Sequence, residues 1–202
     1  MDEKQILLSY LPINSVALVF SWIKKSNIHL KISKNRKTKL GDYRPPIHHP
    51  NHRISINHDL NPYTFLITFV HEYAHLLVFE KYNQWVLPHG SEWKGMYKML
   101  MEEVINKDIF PDDIAQALGK SIQNSKASST SDLSLSRVLQ KYDKSVDQLK
   151  VEDLPFNAVF KTNTGRKFKK GEKRRIRYKC ISIDNGRLYL FHPLTPVSLV
   201  LE

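Results

Sequence analysis

Residues 65–82 read FLITFVHEYAHLLVFEKY, a nearly unbroken apolar run with His71, Glu72 and His75 in its middle. Such a run must form the centre of whatever fold the chain adopts. A polar group buried there without a partner costs roughly 2–7 kcal/mol, so the trio needs a physical reason to be buried. The preceding DLNP supplies a helix start, with Asn61 as N-cap and Pro62 at the first helical position. The spacing predicts a helix from there to about Tyr82.

On a helix, residues four apart share a face, with Cβ atoms about 5–6 Å apart. His71 and His75 can therefore aim imidazole nitrogens at one tetrahedral ion, at the Zn–N distance of about 2.0–2.1 Å. Glu72 is rotated by about 100° from His71; it is not aimed as a ligand but can reach water beside the ion as a general base. H-E-x-x-H is the zinc metalloprotease helix, and one zinc ion explains the burial better than two core histidines satisfied by local hydrogen bonds.

A catalytic zinc takes three protein ligands and leaves a position open. His89 is the choice for the third. It lies between Pro88 and Gly90, directly before a second helical pattern that can pack antiparallel to the first. Pro88 stiffens the approach and Gly90 permits close backbone passage. The rivals are His48, His49, His52 and His58 in a polar stretch upstream. Glu80 and Glu92 could supply a carboxylate, although Glu92 suits the helix N-terminus it occupies.

Composition bounds the rest. The chain has 202 residues, 41% hydrophobic and 25% charged, enough for one good core with an appendage or for two small domains. No apolar stretch of about 18 residues is free of charge, which argues against a membrane span. The opening MDEKQILLSYLP has no basic n-region or small-residue cleavage site, and the lone Cys180 rules out an internal disulfide and suits a reducing compartment. A cytoplasmic location is the expectation. The net charge of +11 is concentrated: Lys161 to Lys179 holds ten Lys or Arg against the single acid Glu172. A charge so confined points to a polyanion-binding surface.

Along the chain, Asn14 or Ser15 can cap a first helix carrying Val16, Val19, Phe20 and Ile23. HLKIS at 29–33 and HRISIN at 52–57 read as strands, the second with Ile54 and Ile56 on one face. The helix after Gly90 places Trp93, Met96, Tyr97, Leu100, Met101 and Val104 on one side. Weaker helices follow near 112–123 and 133–142, separated by the linker-like NSKASSTSD. Strands take over from about Phe156, with turns at KKGEK and at DNG (184–186). The fold class is α+β. Its parts are a metalloprotease-like domain over 1–110, with helices and a small antiparallel sheet, a helical connector over 111–155, and a basic β-hairpin module over 156–202.

The run FLITFVHEYAHLLVFEKY followed by PHGSEWKGMYKML resembles the SprT-like metalloprotease family. Its pattern of H-E-x-x-H and then H-G-x-x-[FW] matches His71, Glu72, His75, His89, Gly90 and Trp93 in order. HRISINHDL is similar to the strand before the family's active helix, and KTKLGDYR to its preceding hairpin. The resemblance covers about residues 14–106. It implies a zincin-like domain, zinc ligands at His71, His75 and His89, and a general base at Glu72. It also implies protein substrates attached to DNA. Bacterial members often end in a cysteine-rich zinc ribbon; here RRIRYKCISIDNGRLYLFHPL offers Cys180 alone. Such a module would be a ribbon without its cysteines, held by Ile176, Tyr178, Leu188 and Leu190.

In the basic module, alternation sets Arg175, Arg177 and Lys179 on one strand face, with Lys169, Lys170, Lys173 and Arg174 crowding the turn. These seven are the candidate DNA contacts, without sequence preference, and Tyr189 or Phe191 could stack on unpaired bases. Strand 52–57 is the candidate to receive a peptide substrate as an added strand. The competing classes are a nucleic-acid-binding or transcription-associated factor with a structural or vestigial metal, against which the intact Glu72 argues, and an exopeptidase or other small zinc hydrolase.

Overall fold

Asn61 starts the central helix by accepting a hydrogen bond from the Thr64 N–H at 2.9 Å. Pro62 follows at the first turn, where its missing N–H costs nothing. The structure, a computed structural model, describes residues 3–36, 38–47, 49–83, 85–123, 132–144 and 148–200. Helix α3 (Pro62–Tyr82) is apolar on most of its circumference, and Phe65, Leu66, Phe69, Val70, Ala74 and Leu76 are wholly buried. A helix of that composition must be covered on several sides.

One side is covered by a sheet of β1 (Ile28–Ser33), β2 (Gly41–Arg44) and β3 (His52–Asn57) in the order β1-β3-β2. Ile54 and Ile56 of β3 alternate inward and are fully buried. The sheet is mixed, not purely antiparallel: β1 runs parallel to β3 and β2 antiparallel to it. The reason lies in the β1–β2 connection, where the Arg36 guanidinium donates to Asn57 Oδ1 at 2.8 Å and Ser55 Oγ at 2.9 Å. That clamp ties the connection to β3 and leaves the central position to it. Strand 52–57 is thus paired on both sides and has no edge for a substrate; β2 and β1 own the edges.

Helix α1 (Glu3–Leu8), which the sequence pattern does not announce, buries Leu7. In α2 (Val16–Lys25), Trp22 stacks on Tyr73 of α3 with ring centroids 5.0 Å apart. Helix α4 (Ser91–Ile105) buries Trp93, Tyr97, Leu100, Met101 and Val104, while Met96 is only partly covered. The stretch read as a connector does more than connect. Helices α5 (Asp112–Gln123) and α6 (Leu133–Gln140) put Ile114, Leu118 and Leu135 into the same core. The Asn61 amide also donates to Leu139 O at 3.0 Å and Asp143 Oδ1 at 2.6 Å. The compact units accordingly divide at Lys144, not near residue 110. The linker-like tract lies, as far as residue 131, outside the described residues.

The second unit is a five-stranded antiparallel sheet ordered β7-β6-β5-β4-β8. Its strands are β4 (Val159–Lys161), β5 (Lys167–Arg174), β6 (Arg177–Ser182), β7 (Leu188–Phe191) and β8 (Ser198–Leu199). KKGEK is not a turn: it lies inside β5, with a bulge between Lys170 and Lys173. There a Cβ on Gly171 would stand 2.7 Å from Lys179 O, so only glycine fits. The chain reverses at Arg175 and Ile176, with Arg175 at φ 55°. The turn at DNG exists, with Gly186 at φ 66°. Its Ser182 N–H donates to Arg187 O, which makes it a four-residue loop.

The core of this unit is Val151, Leu154, Phe160, Phe168, Cys180 and Val197, with Tyr178, Tyr189 and Phe191 packed on it. Ile176, Leu188 and Leu190 are exposed (55, 57 and 45%), so they do not hold the module. Tyr189 and Phe191 turn to the core side instead, partly buried, with Phe191 4.8 Å from the Phe168 ring. No helix among the described residues is long and apolar enough to cross a membrane.

Asn61→Ala removes the cap and orphans the tie to α6. It should lower the unfolding free energy by about 1–2 kcal/mol in a denaturant titration.

Candidate metal centre

Helical spacing puts His71 and His75 one turn apart on α3, with ring centroids 5.0 Å apart. His89 arrives from the α3–α4 loop on a turn closed by the Gly90 N–H donating to Leu87 O at 2.9 Å. Its backbone sits at φ 59°, a conformation uncommon for residues other than glycine. That turn delivers the ring to the helix. His89 Nε2 lies 3.0 Å from His75 Nε2 and 3.1 Å from His71 Nε2.

Behind the imidazoles stands Trp93, the first large residue of α4, its ring centroid 4.6 Å from His71, 5.2 Å from His75 and 4.7 Å from His89. Tyr97, one turn on, stacks on Trp93 at 4.9 Å. The α4 side chains read as core residues are therefore also the wall of the site. Their helical periodicity signals burial alone; the match of Trp93 to the family pattern is the one sequence signal that ties the wall to the histidines.

Burial, reinforced by the neighbouring histidines, holds His71 down to about 3 and, with His89 beside it, His75 down to about 4. Burial lowers His89 as well. All three rings are neutral at pH 7, the form that ligates metal. Nitrogens gathered this closely repel through their lone pairs unless a cation or a proton lies between them; each neutral imidazole has a single N–H to offer, and burial disfavours adding a second proton. A tetrahedral zinc spaces its nitrogen ligands about 3.3 Å apart, close to what the rings present. The donor set fits a metal ion.

Glu72 points elsewhere. It is 8% exposed and belongs to no metal-donor cluster. Its carboxyl group accepts the backbone N–H of Tyr43 on β2. Gly41 makes that approach possible: a Cβ there would lie 2.6 Å from Glu72 Oε1 and 2.7 Å from Thr68 Cγ2. Burial first, then the Asp42 carboxylate, push Glu72 up to about 7, against the Tyr43 N–H and the charges of Arg36 and Lys39. It is poised to exchange a proton near neutrality.

Among the described residues, His71, His75 and His89 form the one group able to hold a metal. His52 is engaged elsewhere: its Nδ1 lies 2.9 Å from Tyr43 Oη and its Nε2 3.6 Å from Glu80 Oε1. Glu92 accepts the Ser91 hydroxyl. His49 and His58 lie outside the cluster, and His48 is not among the described residues.

Of the basic candidates, Lys169, Lys173, Arg174, Arg175 and Arg177 are exposed and Lys179 is half-buried. Lys170 is not on that surface. Only 6% exposed, its Nζ donates to Glu152 O and Leu154 O and lies 4.3 Å over the Tyr178 ring. Two residues after the buried Phe168 and paired with the buried Cys180, Lys170 stands on the core side by ordinary alternation, where it ties β5 to the turn at Val151–Asp153.

The SprT-like family model matches residues 13–115, from the turn before α2 into the first turn of α5 and across every residue of the histidine site. The chain belongs to the SprT-like family, whose members are in general metalloproteases. No curated protein and no solved structure matches it significantly.

The purified protein should carry about one metal equivalent per chain after exhaustive dialysis. His89→Ala should lose most of it, while His52→Ala and His58→Ala keep it, as read by elemental analysis.

Proposed function

We propose that this protein is a zinc-dependent endopeptidase that acts on or near nucleic acid, with DNA-associated proteins as its substrates. The observation that carries the reading is the convergence of three neutral imidazoles at 3.0–3.1 Å, together with a buried carboxyl group, one residue on from His71, that is not in their cluster. A structural metal site has no use for such a carboxyl.

His71, His75 and His89 would hold one zinc ion through Nε2. When bound, zinc supplies a Lewis acid that polarises the scissile carbonyl and acidifies water. Glu72 takes a proton from water at its carboxylate and returns it to the departing amine. The Tyr43 N–H fixes which way that carboxylate faces, and Trp93 keeps the histidine rings from turning. The Asn57 N–H donates to Leu40 O; by antiparallel alternation the backbones of Asp42 and Arg44 also face β3, and those of Gly41 and Tyr43 face the open edge. That edge borders Glu72, which makes β2 the strand placed to receive an extended peptide.

The support for nucleic acid is electrostatic. Lys173, Arg174, Arg175 and Arg177 crowd the β5–β6 reversal, all exposed. With Tyr189 and Phe191 facing the core, such a surface reads phosphates and not bases, so duplex and single strands of any sequence should serve.

Two measurements test this reading. Glu72→Gln should retain metal and fold while cleavage of an unfolded protein substrate falls by about 10²–10⁴-fold or more; undiminished cleavage removes Glu72 from the mechanism. Gly41→Ala, which touches no ligand, should lower kcat by about 10–100-fold with metal content unchanged, because it displaces the carboxylate.

A salt titration of oligonucleotide binding checks the second half. For single strands the log–log slope is about −0.7 per phosphate neutralised. Changing Arg174, Arg175 and Arg177 together to Gln should flatten it by roughly 2, and equal slopes would reduce the charge to a solvated face.

A further inference from the structure

The outer face of the C-terminal sheet is unusual for a half-covered antiparallel sheet, whose solvent side is ordinarily polar. Pairing sets Val159, Lys169, Ile181 and Leu188 side by side across β4, β5, β6 and β7, with Lys179 beside Leu190 in the neighbouring row. These positions alternate with the buried Phe160, Phe168 and Cys180, so they stand on the side away from the core. Ile181 is 49% exposed, and Leu188 and Leu190 more than 40%. Lysines flank this aliphatic strip, and no Asp or Glu occupies a paired position of the face.

We propose that this face docks an acidic, amphipathic protein segment. Its apolar side chains would cover Ile181, Leu188 and Leu190, and its carboxylates would meet Lys169 and Lys179. The chemistry of the face selects this occupant. A phosphate backbone would satisfy the lysines but leave the aliphatic strip in water. Unpaired bases stack on aromatic rings, and the aromatic residues of this sheet belong to its other face. A second copy of the chain would bring lysines against lysines. An exposed aliphatic patch rimmed by one sign of charge is the mark of a protein interface. Of the cationic reversal at Lys173–Arg177, Arg177 adjoins this face, two residues before Lys179 on β6; the aliphatic contacts at Ile181, Leu188 and Leu190 do not depend on nucleic acid binding there.

The test uses the full chain and fluorescence anisotropy with three labelled peptides: one with leucines on one face and glutamates along both flanks, one with those glutamates changed to lysine, and one with those leucines changed to serine. A single-stranded oligonucleotide is the fourth probe. The first peptide should bind at least about tenfold more tightly than the other two. Ile181→Ser with Leu190→Ser, both at exposed positions, should cost it about tenfold while oligonucleotide affinity and thermal unfolding stay as in the parent. The proposal is overturned if the glutamate peptides bind alike with and without leucine, since charge alone would then explain them. It is equally overturned if the serine variant keeps the first peptide's affinity, or if that variant loses oligonucleotide binding instead. A parent that sediments as a dimer which the variant dissociates would assign the face to self-association.

Discussion

Everything in the N-terminal unit is arranged around the cost of placing two imidazoles and a carboxyl group inside an apolar helix. Any one of them left bare in the core would cost several kcal/mol, a large fraction of what a domain has in total. The molecule resolves this with two different neighbours for one helical turn. His71 and His75 face a third imidazole on a turn that holds His89 at a positive φ. Glu72 faces a strand whose backbone supplies an N–H and whose glycine supplies room. The sheet, the loop before α4 and the aromatic wall are each positioned by one of these demands.

That division explains why β2 is short and lies at the edge. The strand has to present an unpaired N–H to Glu72, so it cannot be covered by a further strand on that side. It has to carry glycine at the point of contact, since a methyl group would overlap the carboxylate. It also has to be held at fixed height, which Tyr43 accomplishes through the 2.9 Å contact with His52 and the stacking of the two rings. Arg36 secures the other end of the strand's approach by binding β3. In the proposed function, the open edge left by these requirements is where an extended peptide would lie, next to Glu72.

The legible parts of the sequence were those where several signals agree. Around α3 the cap, the proline, the apolar run and the H-E-x-x-H spacing coincide, and the helix begins and ends where they say. His89 was legible from its turn chemistry and position. The β-module was only partly so, for a physical reason: both faces of β7 are apolar. Tyr189 and Phe191 alternate with Leu188 and Leu190, so period-2 reasoning cannot choose between them, and a wrong choice inverts every side chain of that strand. The bulge at Gly171 lets β5 run on through KKGEK, so the chain reverses at Arg175 and Ile176. Gly41 was also silent, because nothing local marks a glycine whose purpose lies in a helix far along the chain.

The separation of charge from chemistry bears on how the proposed function could be selective. Most of the net +11 resides between Lys161 and Lys179, in the second unit, while the histidine site lies in the first. An active site that takes peptide through backbone pairing at a strand edge discriminates little among sequences, because main-chain hydrogen bonds are common to all of them. A tethered module that holds a phosphate backbone raises the local concentration of whatever protein sits on the same polymer, and that gain needs no contact in the active site. Selectivity would then come from location and not from side-chain recognition. It would weaken with salt as the phosphate contacts weaken, while the proposed chemistry at the buried Glu72 would not.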